Sequence, residues 1–157
     1  MENLLLTRID DRLIHGQVMT AWMKNYPAKQ ILIVDNQVAK DEFMLFVLQN
    51  AAPSGIRVIA HTEVDALAML EKGLDKKTLI LAKTPLNLKS IVDGGIKIPS
   101  MIIGGMGLKA ERKPLYKNIS ATQEERDCIK HFISMGIDMA IHITPDQKRM
   151  DLKGIVG

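Results

Sequence analysis

Short apolar runs alternate with segments of helical period along this chain, and no other feature limits its fold as strongly. "QILIVD" (30–35), "RVIAH" (57–61), "TLILA" (78–82) and "SMIIGGMG" (100–107) are strand-length and mostly apolar. The first is continuous and apolar, as a strand buried on both faces is in a parallel sheet. "NLLLTRI" (3–9) and "DMAIHI" (138–143) add a first and a last strand. The segments between them carry helix signals. Val18, Trp22 and Tyr26 recur along one helical face. Thr62 with Asp65, and Thr122 with Glu125, read as capping boxes. Thr84 before Pro85 reads as an N-cap and first helical position. Strands alternating with helices build a parallel sheet covered on both sides. The expected fold is α/β: an open, mostly parallel sheet with helices on both faces, in a single domain over 1–157. A short extra strand is expected at 115–119, and the tail "DQKRMDLKGIVG" carries no firm signal.

Composition removes several function classes. The formal net charge is +3, but the basic residues are scattered, and only "LKAERKPLYK" approaches a cluster. Aromatic residues make up 4% of the chain, too few for a base-stacking platform. No nucleic-acid partner is expected. Cys128 is the one cysteine, so no internal disulfide and no zinc-ligand spacing exist. "MENLLLTRID" carries acid too early for a signal peptide. No apolar run approaches the roughly 20 residues of a membrane span. The expected location is the cytoplasm, with no direct membrane insertion.

In an open parallel sheet, ligands sit beyond the carboxyl ends of the strands. The candidate loops are 10–16, 35–36, 83–84 and 104–107. No G-x-G-x-x-G follows the first strand, and neither a P-loop nor a G-x-S-x-G elbow is present. The "GGMG" turn has two readings: glycines needed for positive φ, or a bare backbone that lets a ligand or partner approach. His61, His131 and His142 read as surface or hydrogen-bonded histidines.

His15 stands apart, in "RIDDRLIHGQV". It opens a helix, where free N–H groups and the helix dipole favour an anion. Gly16 adds no bulk beside it, and Arg12 lies three residues earlier. A neutral imidazole is a competent nucleophile toward phosphorus, and helix amides with a guanidinium can hold the resulting anion. The alternative at this point is a helix-start histidine with Asp10 and Asp11 as capping acids.

"TRIDDRLIHGQV" closely resembles the signature of the IIB component of the mannose/fructose/sorbose family of the bacterial sugar phosphotransferase system. "ILIVDNQVAKDEF", "AAPSGIRV", "KTPLNLKSIVDGGI" and "IIGGMG" fit the same family in order. The resemblance covers 1–157 as one IIB domain and leaves no room within it for a fused IIA domain. It implies a phosphohistidine at Nδ1 of His15, a IIA phosphohistidine as donor, and a sugar imported by membrane IIC and IID subunits as final acceptor. It also implies association with that permease and no cofactor or metal. In this reading Arg12 and the amides of Gly16 and Gln17 hold the phosphoryl charge. Arg8 is a second phosphate candidate or pairs with Asp10 or Asp11. Asp10 orients the imidazole or Arg12, or caps the loop. The stretch "ERKPLYKNISAT" carries no assigned role. Two rivals are a phosphohistidine phosphatase or mutase, for which no second acid/base group is evident, and an anion-sensing regulatory module of the same fold.

Overall fold

The computed structural model describes residues 1–156. Its strands are β1 (Leu4–Asp10), β2 (Gln30–Val34), β3 (Arg57–His61), β4 (Thr78–Ala82), β5 (Ser100–Gly105), β6 (Lys113–Tyr116), β7 (Ile119–Ala121), β8 (Asp138–Ile141) and β9 (Met150–Asp151). Its helices are α1 (Gly16–Asn25), α2 (Glu42–Ala51), α3 (Glu63–Lys72), α4 (Lys89–Asp93) and α5 (Gln123–Ser134). Seven strands form one sheet in the order β3-β2-β4-β1-β5-β8-β9. All its neighbours pair parallel except β9, which runs antiparallel to β8.

Successive side chains of a strand point to opposite faces, and β2 shows the result. Leu32 and Val34 pack into a core with α3, α4 and α5, whereas Ile31 and Ile33 pack into a second core with α1 and α2. The sheet is therefore covered on both sides. β1 lies between β4 and β5, so its carboxyl end emerges at the middle of the sheet edge. There α1 leaves to one face while the chain after β4 and β5 goes to the other.

Four details differ from the sequence expectations. The strand expected at 115–119 is an antiparallel hairpin, β6 with β7, turned at Lys117 with φ 49°. The buried stripe of α1 is Met19, Trp22 and Met23, with Val18 and Tyr26 only partly buried beside it. An i, i+3, i+4 stripe faces a flat sheet better than an i+4 row, which drifts around the helix. The Thr62 box is half formed: Thr62 Oγ1 accepts from Asp65 N at 3.1 Å, but the aspartate does not return the bond. Aspartate is one methylene shorter than the glutamate of a full box, which Thr122 and Glu125 do form. The tail supplies β9, which closes the β8 edge.

Candidate functional site

Asp10 is the last residue of β1 and is 1% exposed. Three cationic or imidazole groups converge on its carboxylate. Arg12 donates from Nε to Oδ1 and from Nη2 to Oδ2, both at 3.0 Å. Arg8 Nη2 lies 3.4 Å from Oδ2. His15 Nε2 lies 3.8 Å from the same oxygen. The Arg12 amide also donates to Oδ1 at 3.0 Å, which folds the chain into a turn directly after the strand. Leu13 sits in that turn with φ 58°, a conformation costly for a bulky residue and held by its 3% exposed side chain.

His15 is the N-cap of α1, and no side chain caps the helix. Neither Asp10 nor Asp11 serves as the capping acid, because both carboxylates are committed elsewhere. The amides at the start of α1 keep their positive end for an anion. Gly16 has φ +41°, with open space where a side chain would be, and Gln17 is exposed on the same turn. His15 Nε2 is buried without a hydrogen-bond partner among the described residues, facing Asp10. The ring is 33% exposed, and Nδ1 is the nitrogen left on the open side. Burial lowers the His15 pKa below its ordinary value, and the charge of Arg12 lowers it further, against the opposing pull of Asp10. The imidazole is thus neutral near pH 7.

Arg8 is a strut under this cluster. It is 1% exposed and donates to the carbonyls of His142 and Ile143, each at 2.9 Å. Its guanidinium lies 5.2 Å from the Trp22 ring centroid, and Trp22 Nε1 donates to Ile143 O at 3.0 Å. Burial pushes Arg8 down to about 10, still charged at neutral pH. The geometry thus sets Arg8 beneath Asp10, while Arg12, 48% exposed, lies on the open side with Nη1 free of any hydrogen bond among the described residues.

The "GGMG" turn owes nothing to positive φ, since Gly104, Gly105 and Gly107 all lie outside that region. A Cβ on Gly104 would stand 1.9 Å from Arg8 Nη2, and one on Gly105 would stand 2.6 Å from Asp10 Oδ1. Glycine is needed there because the chain's own charged cluster fills the space.

Asp11 makes no hydrogen bond to Arg12 among the described residues. It accepts from Gly107 N at 2.8 Å and from Arg112 Nη1 at 3.0 Å. Arg112 also donates to Glu125 through Nε and Nη2, at 3.0 and 2.9 Å. Burial alone would lower Arg112 and raise Glu125. Their mutual hydrogen bonds and charge override it, so Arg112 is raised and Glu125 lowered. Sequence reasoning missed Arg112, because its basic neighbourhood resembles a solvated surface, and missed Trp22 as the platform under Arg8.

The remaining candidates lie apart from the cluster or beside it. Lys83 Nζ is 3.7 Å from Asp35 Oδ2, in a crevice of about 330 Å³ between the ends of β2 and β4. His131 Nε2 pairs with Asp93 Oδ1 at 2.7 Å on the surface. His142 packs edge-on against Trp22 at 4.8 Å. Burial pushes the Cys128 thiol up to about 12, which keeps it unreactive. No cluster of three His, Cys, Asp or Glu side chains among the described residues is placed to hold a metal ion.

The fold and this cluster define a class: an open α/β protein presenting a neutral histidine at an uncapped helix start, backed by a carboxylate and an arginine. The family model described as "PTS system sorbose subfamily IIB component" matches residues 4–157. The chain belongs to this family of IIB components of the sugar phosphotransferase system, and its work is phosphoryl transfer in sugar uptake. It is 28% identical over 158 residues to the fructose-specific EIIB component of Bacillus subtilis (strain 168), covering 99% of this chain and 97% of that one. It is 33% identical over 155 residues to the mannose-specific EIIAB component of Escherichia coli (strain K12), covering 94% of this chain but 47% of that longer protein. The crystal structure of the IIBSor domain of the sorbose permease from Klebsiella pneumoniae superposes with a TM-score of 0.91 at 28% identity, covering 98% and 95% of the two chains. No helix is long and apolar enough to cross a membrane among the described residues.

Proposed function

We propose that this chain is a phosphoryl carrier whose phosphate rides on Nδ1 of His15. The observation that carries the reading is the orientation of the ring: Nε2 faces the buried Asp10 carboxylate while Nδ1 faces out. A carboxylate beside Nε2 keeps the proton there and the lone pair on Nδ1. That lone pair attacks the phosphorus of the donor's phosphohistidine in line. The donor P–N bond breaks, its electron pair stays on the donor imidazole, and a new P–N bond forms at His15. Charge on the three equatorial oxygens is met by Arg12 and the amides of Gly16 and Gln17. Asp10 offsets the positive charge that develops on the phosphorylated ring. Arginine and helix amides supply the field, so the reaction needs no metal or cofactor.

The donor in this reading is a IIA phosphohistidine. The relative named EIIAB, of which this chain spans 47%, supports that partnership. The acceptor is a sugar imported by membrane IIC and IID subunits, to which this chain docks from the cytoplasm. The test is to mix the chain with the phosphorylated general carrier and a IIA protein and to look for acid-labile phosphate on it. Labelled wild type with unlabelled His15→Ala is the expected result. Labelling of the alanine variant would move the acceptor to another residue, and no labelling of the wild type by any IIA would favour the anion-sensing module instead.

A further inference from the structure

We infer that Arg112, from the connection between β5 and β6, is a positioning residue for phosphoryl transfer. The inference rests on the reading of His15 as the acceptor. It starts from a chain of contacts that ties four loops of the sheet edge together. Arg112 Nη1 donates at 3.0 Å both to Asp11 Oδ2 and to Gly107 O. The other side of the same guanidinium grips both carboxylate oxygens of Glu125. Glu125 in turn accepts from Thr84 Oγ1 at 2.6 Å and from Thr122 N at 2.9 Å. The loop after β1, the glycine turn after β5 and the start of α5 thus meet at the Arg112 side chain, which is 9% exposed, and Glu125 joins the loop after β4 to them.

The part of this network that bears on the reaction is Asp11. It sits between Asp10 and Arg12, and its amide donates to Gly105 O at 3.0 Å. With the backbone and the carboxylate both pinned to the glycine turn, the peptide that follows can aim Arg12 only toward Asp10 and the open side of His15. The hairpin adds a second tie, Ser120 N to Met106 O at 2.8 Å. The stretch around 111–122 therefore braces the turn that the charged cluster leans on. Arginine is required at 112 because its planar fork serves Asp11, Gly107 and Glu125 at once, which a single ammonium cannot do. Displacing a reacting or charge-holding group by about 1 Å can slow a reaction on the order of 100-fold.

The experiment compares Arg112→Lys, Asp11→Asn and the double variant with wild type. Single-turnover transfer from phosphorylated IIA gives the maximal rate and the apparent KM, and nitrogen NMR of the His15 ring gives its titration. Each single variant is expected to lose roughly tenfold or more in maximal rate with KM little changed. The double variant is expected to be no slower than the slower single, because both break one bridge. The His15 ring is expected to titrate at a different pH in both singles, a readout that stands even if no IIA transfers to wild type. A folded Arg112→Lys with wild-type rate and wild-type titration overturns the inference, as do rate losses that multiply. If Arg112→Lys fails to fold, the rate and titration of Asp11→Asn, which keeps size and shape, decide alone: wild-type values for both overturn the inference.

Discussion

The Asp10 carboxylate lies 3.8 Å from Nε2 of His15 while accepting two hydrogen bonds from the side chain of Arg12. One buried acid therefore faces the His15 ring and sets the aim of the nearest guanidinium. It is also the counter-charge of Arg8, which is as deeply buried. Removing one partner of a buried pair costs about 3–5 kcal/mol, because the other charge is left uncompensated. Asp10→Ala is expected to lower the unfolding midpoint in urea markedly. Asp10→Asn, which still accepts one bond, is expected to unfold later than the alanine variant yet transfer phosphate far more slowly than wild type. An Asp10→Asn variant with wild-type transfer would mean that the carboxylate does not act on the ring.

The His15 pKa predicts a pH profile with a definite sign. Burial and Arg12 lower it, so the neutral, nucleophilic form persists below the ordinary histidine value of about 6.5. Transfer to His15 is expected to fall on acidification with a midpoint below the ordinary value of roughly 6.5. The linkage runs the same way. The unfolded chain takes up a proton here before the folded chain does, so this group's stabilisation is present above the unfolded pKa and is lost as the pH falls toward the folded one. Proton NMR titration of the ring checks both points, and a midpoint above the unfolded value would contradict them.

Gly104 and Gly16 separate two reasons for a glycine. Gly104→Ala brings a Cβ to 1.9 Å from Arg8 Nη2, so the buried guanidinium has to leave its two carbonyls. Gly16→Ala meets no atom within 4 Å and bears only the cost of φ +41°, about 1 kcal/mol. The expected order of unfolding midpoints is wild type, Gly16→Ala, then Gly104→Ala well below both. Equal losses would show that Arg8 yields easily.

The strands are legible in the sequence because a strand covered on both faces must be apolar almost throughout, and β2 and β4 are buried along their whole length. His15, Arg12 and Asp10 are legible because a short loop brings them together whatever surrounds it. The partners that fix them are not. Arg8 meets its carbonyls 134 and 135 residues away, and Asp11 meets Arg112 at a separation of 101. No local pattern encodes such contacts. Gly104 and Gly105 of "GGMG" mislead for the same reason, since the groups that exclude a side chain there come from β1 and its loop.

The two arginines of the opening motif should fail differently. Arg12 is 48% exposed, and an exposed ion pair contributes about 0–1 kcal/mol. Arg12→Gln is therefore expected to unfold close to wild type. Its guanidinium nevertheless stands on the open side of Asp10 with Nη1 free of hydrogen bonds among the described residues, where it can meet the phosphoryl oxygens. A charge-assisted contact of that kind is worth roughly 1.5–3 kcal/mol, or about ten- to a hundredfold in rate. Arg12→Lys should lose part of that, because the ammonium keeps the charge but not the fork. Arg8→Gln reverses the pattern. It leaves Asp10 without its buried counter-charge and the carbonyls of His142 and Ile143 without their donor, so stability falls by about 3–5 kcal/mol. Rates taken where both variants remain folded, in single-turnover transfer from phosphorylated IIA, then show whether Arg8 also touches the chemistry. A folded Arg8→Gln slower than Arg12→Gln would move the charge-holding role to the buried arginine and make Arg12 a surface partner of Asp10.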